Sequence, residues 1–376
     1  MRFTTRVIHY AEEPDYGRSG DVIHPIHLST TFARLDPEEP TGGFEYTRTS
    51  NPTRLMFESK IAAAENGKHG LAFSSGLAAE TTILASLLEK GSKVIAHEDL
   101  YGGTSRLFEK VFTKFGITYE KINLKDPRNL ESIKGLYQMV WLETPSNPLL
   151  GVIDIKEISR IAHEKGALVV VDNTFATPAL QNPLNFGADI VLHSTTKYIN
   201  GHSDSLGGAL VLNDDTLFEK LKFHQNAIGS VLSPFDSYLS ARGLKTLELR
   251  MNVHSSNAME ISKFLKDHEK VKKVYYPGLE EHEGHWIARM QMKEFGGMLS
   301  FRYKGETKSF LKRLKYFYLA ESLGGIESLI EVPYYMTHSS LPMEERIKLG
   351  IDDKLIRVSV GIENIEDLLE DLQNSL

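Results

Sequence analysis

Two stretches of the chain, ALVVVDNT at residues 167–174 and IVLHSTTKY at residues 190–198, decide the fold. Each opens with a run of branched apolar residues, which is typical of a strand buried on both faces of a parallel sheet. Asp172 ends the first run, and Lys197 follows the second. Because ligands of open α/β sheets bind just beyond the carboxyl ends of the strands, the sequence predicts an acid and an amine at that edge.

A lone aspartate and a lone lysine at that edge suit pyridoxal phosphate. The lysine amine forms a Schiff base with the aldehyde of this cofactor, and the aspartate keeps the ring nitrogen protonated so that the ring withdraws electrons. Taken alone, however, the pair is better explained as a salt bridge between two strand ends. Two further motifs change that balance.

The motif SSGLAA, residues 74–79, offers a place for a phosphate group. It follows a short apolar run and opens a predicted helix at 77–89, where small residues leave backbone N–H groups free to bind an anion. Ser194 and Thr196 add hydroxyl groups just before the lysine. Tyr101, in YGGT at 101–104, has a ring that can lie flat on a pyridine. Considered separately, a plain helix cap and a core tyrosine are the simpler interpretations.

Eight motifs together resemble one known family. In chain order they are EYTRTSNPTR (45–54), SSGLAA (74–79), LYGGT (100–104), ETPSNP (143–148), VDNTFATP (171–178), HSTTKY (193–198), ESLGG (321–325) and IRVSVG (356–361). They closely resemble the Cys/Met-metabolism enzymes dependent on pyridoxal phosphate, over nearly the whole chain. The resemblance implies an α/β protein of the pyridoxal-phosphate-dependent transferase fold type I. That fold has a mostly parallel sheet with helices on both faces and a smaller C-terminal α/β domain.

The composition agrees with a globular enzyme. With 376 residues, the chain is long enough for two sub-domains with sizeable cores. Of its residues, 41% are hydrophobic and 25% are charged, which is ordinary for a globular protein. Its net charge of −7 argues against a general nucleic-acid-binding surface. The absence of cysteine excludes disulfides and thiolate catalysis. Without a membrane-length apolar run or a signal-peptide core, we expect a cytoplasmic enzyme that acts on a small molecule and binds neither nucleic acid nor membrane.

Periodicity predicts three parts: an N-terminal arm at 1–52, a large cofactor-binding domain at 53–235 and a C-terminal domain at 236–376. The arm is irregular and hard to stabilise alone, so we expect it to wrap a neighbouring subunit. In the large domain, helices are predicted at 54–65, 77–89, 105–115 and 155–164, and strands at 93–97, 117–122, 139–142, 167–171, 190–192 and 209–212. One long bridging helix is predicted at 235–265, followed by strands at 298–302 and 356–360 and a closing helix at 365–372.

The resemblance implies a role for each cofactor-binding residue. Lys197 would form the Schiff base and then carry protons, which requires a lowered pKa. Asp172 would pair with the ring nitrogen, and Tyr101 would stack on the ring and act as acid or base toward the leaving group. The phosphate would be held by Gly76, Leu77, Ser194 and Thr196. Tyr46 and Arg48 would reach the phosphate of the neighbouring subunit, so we expect a homo-oligomer, a tetramer built of active dimers.

The resemblance also implies the substrate-binding residues. Arg357 would hold the α-carboxylate of an amino-acid substrate through a bidentate pair, and Asn147 and Ser322 would position that carboxylate. Glu45 and Glu321 would lie near the distal end of the substrate, where carboxylates suit a second amino group such as that of cystathionine. Without the resemblance, a surface salt bridge better explains Arg357, and solvated loop charge is the competing interpretation for both glutamates.

The resemblance leaves the reaction open. Segments 44–48 and 320–325 favour a cystathionine γ-lyase, which releases cysteine, 2-oxobutanoate and ammonia. A cystathionine γ-synthase, which joins an O-acylhomoserine to cysteine, would use the same motifs. A methionine γ-lyase is disfavoured because Gly103 stands where those enzymes typically carry cysteine.

Three other classes are disfavoured by particular residues. A catalytically silent, cofactor-binding scaffold has no need to retain Lys197, Tyr101 and Arg357 together. A dinucleotide-dependent oxidoreductase requires GxGxxG after the first strand, and the chain lacks it. No metal site is expected: EEHEGH at 280–285 is better explained as a solvated loop, because a glycine separates its histidines and nothing demands a metal.

Overall fold

The computed structural model describes residues 1–16, 19–339 and 341–376. Helices α1 to α14 are Phe3–His9, Pro52–Ala64, Gly76–Leu87, Gly102–Arg106, Pro127–Glu131, Ile155–Glu164, Thr177–Leu180, Asp215–Ile228, Pro234–Leu244, Leu247–Asp267, His285–Gln291, Thr307–Arg313, Met343–Lys348 and Ile365–Ser375. Strands β1 to β12 are His69–Phe73, Lys93–His97, Thr118–Ile122, Met139–Glu143, Leu168–Asp172, Ile190–Ser194, Gly208–Leu212, Val271–Tyr275, Met298–Tyr303, Tyr318–Leu319, Leu329–Glu331 and Leu355–Ser359. A π-helical turn at Leu107–Val111 and 3₁₀ turns at Thr41–Gly43, Phe112–Phe115 and Pro183–Phe186 complete the helical segments.

The larger sheet has seven strands in the order β1-β7-β6-β5-β4-β2-β3. Strands β2 to β6 pair in parallel, whereas β7 is antiparallel to both of its neighbours. Val169 and Val171 belong to one hydrophobic cluster and Val170 to another, so β5 is buried on both faces. This arrangement confirms the predicted mostly parallel, doubly covered sheet.

The predicted bounds of many helices and strands agree with the observed bounds to within a few residues. Strand β2 and helix α6 begin and end at the predicted residues. The segment predicted as helix at 105–115 is helical from Gly102 to Phe115 but passes from α through π to 3₁₀ geometry.

The prediction of a single bridging helix at 235–265 is wrong. Two helices, α9 and α10, occupy this region and are separated by Lys245 and Thr246. The Gly243 carbonyl accepts from Arg250 Nη2 at 2.8 Å, and the same guanidinium donates from Nη1 to the Tyr198 carbonyl at 2.7 Å. The end of α9 is therefore capped by an arginine that also fixes the backbone next to Lys197.

The arm is less irregular than predicted, because α1 lies within it. Phe3 and Val7 of this helix are buried, and Lys60 Nζ on α2 donates to the carbonyls of Val7 and Ile8 at 2.9 and 3.0 Å. These contacts with α2 stabilise a seven-residue helix whose own sequence carries little signal.

The smaller sheet has five strands in the order β10-β11-β12-β9-β8 and buries a third hydrophobic cluster. Ser300 Oγ on β9 donates to the Pro148 carbonyl at 2.7 Å, which joins this sheet to the loop that follows β4. The site described below lies where the two sheets meet. The division of the chain at residues 52 and 235 stays a prediction.

Candidate active site

Three adjacent parallel strands end at one cavity of about 320 Å³. Glu143 is the last residue of β4, Asp172 of β5 and Ser194 of β6, and all three line this cavity. Ligands bind at this edge of open α/β sheets because the strands end there and leave a crevice. The opposite wall includes Arg357 of β12 and residues 321–323.

Lys197 follows β6 by three residues and projects its amine into the cavity. Its Nζ donates to Ser322 Oγ at 2.6 Å. Burial is the main cause that lowers the pKa of Lys197 to about 8, and the positive charge of Arg357 lowers it further. An amine with that pKa is partly neutral near neutral pH and can accept a proton, which an ordinary lysine rarely does.

The cavity is lined by two buried carboxyl groups, Glu80 and Glu143, and by the half-buried Asp172. The N–H of Thr174 donates to Asp172 Oδ1 at 2.9 Å, and the N–H of Tyr101 donates to Glu143 Oε2 at 2.8 Å. Thr104 Oγ1 donates to one oxygen of Glu80 at 3.0 Å, while the other, Oε2, is buried with no hydrogen-bond partner within the described chain. Burial raises the pKa of all three carboxyl groups, and the charge of Asp172 raises those of Glu80 and Glu143 further.

Such a cluster of acids fits a positively charged ring nitrogen. The charge of Asp172 disfavours ionisation of the two glutamates, and a protonated pyridine beside Asp172 would offset that charge. Glu80 and Glu143 were not predicted as site residues. Glu143 ends the apolar run of residues 139–142, a signal like that of Asp172, whereas nothing in the sequence distinguishes Glu80 from a surface glutamate on a helix.

The N-terminus of α3 forms a cradle beside Ser194. Ser75 Oγ accepts the N–H of Ala78 at 3.0 Å, and Gly76 and Leu77 line the cavity. A Cβ atom on Gly76 would lie 3.2 Å from the Cβ of Ser194, so glycine lets the helix approach the end of β6. A helix N-terminus with a serine beside it suits a phosphate.

The predicted phosphate ligand Thr196 also supports the backbone. Its Oγ1 accepts the N–H of Gly207 at 3.1 Å and lies 3.2 Å from the Gly207 carbonyl, to which it donates. Together with the acids, the lysine and the α3 cradle, these groups fit pyridoxal phosphate.

Arg357 is buried in the middle of β12, with 2% of its surface exposed. Its Nη1 donates to Asn147 Oδ1 at 3.0 Å, and its Nη2 donates to the Ser322 carbonyl at 2.8 Å. Glu331 Oε1 lies 3.0 Å from Nη1, a contact that was not predicted. The structure thus brings together the three residues predicted to bind a carboxylate.

Tyr101 lies over Gly103 at the cavity wall. A Cβ atom at residue 103 would lie 2.3 Å from Cε1 of the tyrosine ring, so this ring position requires glycine. Burial raises the pKa of Tyr101, which favours the protonated phenol. Glu321 also lines the cavity, and its side chain is exposed.

Three predicted residues of the arm lie apart from the cavity lining of their own chain. Glu45 pairs with Arg34, and Arg48 donates from Nε to Asn226 Oδ1 at 3.1 Å. The guanidinium of Arg48 also stands 5.4 Å from the centre of the Tyr46 ring. Their roles in a neighbouring subunit stay predictions.

The described parts of the chain show no group of three or more metal-binding side chains placed to hold an ion. In the same parts, no helix has both the length and the apolar character required to cross a membrane.

The fold and this cavity define a pyridoxal-phosphate-dependent enzyme of fold type I. A family model for Cys/Met metabolism PLP-dependent enzymes matches residues 4–376, and the chain belongs to this family. It is 52% identical to a cystathionine gamma-lyase of Dictyostelium discoideum, over 99% of this chain and 97% of the relative. It is 50% identical to a cystathionine beta-lyase of Coxiella burnetii, over 99% and 97%. The crystal structure of cystathionine gamma synthase from Xanthomonas oryzae pv. oryzae in complex with cystathionine superposes with a TM-score of 0.96 at 44% identity, covering 99% of this chain and 97% of that chain.

Proposed function

We propose that the enzyme breaks the Cγ–S bond of cystathionine by γ-elimination, with uptake of one water and release of cysteine, 2-oxobutanoate and ammonia. The observation that carries this proposal is that Arg357, Lys197 and Glu321 line one cavity. Arg357 is buried and Glu321 is exposed. A substrate whose α-carboxylate pairs with the arginine can therefore extend a distal ammonium toward the glutamate at the exposed side.

The residues that would hold pyridoxal phosphate are those gathered at the strand ends. Lys197 would bind its aldehyde carbon, Asp172 its ring nitrogen and Tyr101 the face of its ring, and the phosphate would bind Gly76, Leu77, Ser194 and Thr196. The chemistry supplied by the bound cofactor is electron withdrawal from the α-carbon of the substrate.

The proton transfers fall to two side chains of this chain. Lys197 Nζ, once free, would move the proton from the substrate Cα to the cofactor carbon C4′ and, neutral again, would take one from Cβ. Its pKa of about 8 suits both accepting and releasing a proton. The Tyr101 hydroxyl, whose raised pKa favours the protonated phenol, would donate to the sulfur as the Cγ–S bond breaks. Arg357 holds the α-carboxylate during both transfers, which keeps the reacting atoms in place.

We further propose that the arm completes the site of a second copy of the chain. Tyr46 is 43% exposed, and neither it nor Arg48 lines the cavity of its own chain. An exposed tyrosine and arginine suit contact with the phosphate across a dimer, and two such dimers would form the tetramer.

A second candidate reaction is γ-replacement, in which cysteine displaces the acyl group of an O-acylhomoserine to give cystathionine. It is supported by the likeness to a γ-synthase structure that holds cystathionine. The two reactions share Lys197, Tyr101 and Arg357 and differ in whether the γ-substituent leaves to solvent or is replaced by cysteine.

One experiment compares both fluxes in the same preparation. Purified holoenzyme is given cystathionine alone, or O-succinyl- or O-acetylhomoserine with cysteine, and kcat/KM is measured for each. The proposal predicts the highest kcat/KM with cystathionine. Faster formation of cystathionine from either acylhomoserine than its breakdown would assign the enzyme as a synthase.

A further inference from the structure

Glu331 and Arg357 form a buried ion pair between two neighbouring strands. They stand directly opposite each other in the antiparallel pairing of β11 with β12. Glu331 is 1% exposed and Arg357 is 2% exposed. Two charges this deeply buried lose most of their hydration, so the pair is weak evidence for stability and calls for another explanation.

The contacts of the guanidinium indicate what this pair does. Glu331 Oε1 and Asn147 Oδ1 each lie 3.0 Å from Nη1 of Arg357, and the Ser322 carbonyl accepts from Nη2. Nε has no partner among the described residues. The described residues therefore hold the guanidinium through its two Nη groups. Nε, which lies beside Nη2, remains available to donate to a further acceptor.

Glu331 is itself held from a separate segment. Thr337 Oγ1 donates to Glu331 Oε1 at 2.7 Å, and Thr337 lines the active-site cavity. The oxygen that contacts Arg357 is thus fixed in position before any substrate arrives, which is the arrangement expected of a group that orients another.

The charge of Glu331 also acts on the cavity. The charge of Arg357 lowers the pKa of Lys197, whereas the charge of Glu331 raises it. The glutamate therefore offsets part of the positive charge that the arginine brings next to the amine.

We propose that Glu331 is a positioning residue for substrate binding, which holds the Arg357 guanidinium in the orientation that accepts an α-carboxylate. The inference rests on the carboxylate-binding role proposed for Arg357. It predicts that loss of the Glu331 charge weakens ligands with a carboxylate and spares ligands that have only an amine.

The test uses two small amines that differ in the carboxylate. Binding of L-alanine and of ethylamine to the holoenzyme is titrated through the change in visible absorption of the bound cofactor. In Glu331→Gln, the Kd for alanine is expected to rise about 10-fold, and that for ethylamine to change less than about 2-fold. Glu344→Gln, on the exposed face of α13, is the matched control and should bind both amines as the wild type does.

Thr337→Val provides a second route should Glu331→Gln fail to fold, because it removes the hydroxyl that fixes Glu331. Thr337→Val should weaken the binding of alanine more than that of ethylamine, and by a smaller factor than Glu331→Gln does. Unchanged alanine binding in the folded variant, or equal loss of both amines, would overturn the role of Glu331.

Arg357→Ala separates this failure from failure of the proposed function. If alanine binding is selectively weakened in Arg357→Ala but not in Glu331→Gln, Arg357 keeps its proposed role in binding the carboxylate and Glu331 has no part in it. Unchanged binding of alanine in Arg357→Ala would place the carboxylate elsewhere and overturn the carboxylate-binding role proposed for Arg357.

Discussion

Lys197 and Ser322 join the two sides of the cavity: the lysine Nζ donates to the serine Oγ at 2.6 Å. Ser322 has a φ of +83°, a left-handed conformation that is strained for a residue other than glycine. Its carbonyl accepts from Arg357 while its hydroxyl accepts from Lys197. One strained residue thus contacts both the amine and the guanidinium, the two groups on which the proposed chemistry depends.

The lowered pKa of Lys197 gives a direct test of its environment. An amine reacts with acetic anhydride only when neutral, so labelling of Lys197 in the cofactor-free protein should rise with pH and reach its midpoint near pH 8. The exposed Lys272 in the same sample serves as the internal reference, and mass spectrometry of peptides reports both. A midpoint near the usual lysine value of 10.5 would show that burial and Arg357 do not act as described.

Asp172→Asn should keep the shape of the ring-nitrogen site and remove its charge. Without the carboxylate, a protonated ring is no longer stabilised, so kcat should fall by about 100-fold or more while the cofactor still binds. Stopped assays and the visible spectrum measure the two effects separately. Asp215→Asn, a surface change, is the control, and near-normal turnover in Asp172→Asn would mean that Glu80 or Glu143 serves the ring instead.

The shared-site proposal predicts complementation between two inactive variants. Lys197→Ala and Arg48→Ala protomers, when mixed and allowed to exchange, should form hybrid dimers in which one of the two sites has both residues intact. Activity should then recover in part. Verified exchange, by mass spectrometry of differently tagged chains, without any recovery of activity would confine each site to a single chain.

Much of the site could be predicted because its signals are local. Asp172 and Lys197 follow apolar runs whose pattern predicts buried strands, and the ends of such strands meet at one edge. Strand β8 was missed because Lys272 and Lys273 interrupt its pattern on an exposed face. The break between α9 and α10 is not evident from the sequence, because the side chain that contacts the Gly243 carbonyl, Arg250, comes from the following helix.

Two buried acids, Glu80 and Glu331, show the limit of sequence reasoning. Glu80 and Glu331 lie in elements whose sequence fits ordinary helix and strand, and only folding brings them to Asp172 and Arg357. Their importance comes from burial next to another charge, which no spacing within the chain reveals.

Glu321→Ala should distinguish substrates by their distal charge. A charge-assisted hydrogen bond contributes about 1.5–3 kcal/mol, and the exposure of Glu321 puts the expected loss near the lower value, about 10-fold in kcat/KM for cystathionine. O-acetylhomoserine, whose γ-substituent is uncharged, should lose much less. Glu344→Ala is the matched surface control. Equal losses on both substrates would remove the case for recognition of a distal amine.

The most direct measurement of the central claim identifies which carbon–sulfur bond of cystathionine breaks. Purified holoenzyme is incubated with cystathionine, and keto acids and thiols are quantified together by mass spectrometry. Cleavage at Cγ predicts 2-oxobutanoate and cysteine in equal amounts, with ammonia, and loss of all three in Lys197→Ala. Pyruvate and homocysteine as the main products would contradict γ-elimination and assign the enzyme to cleavage at Cβ.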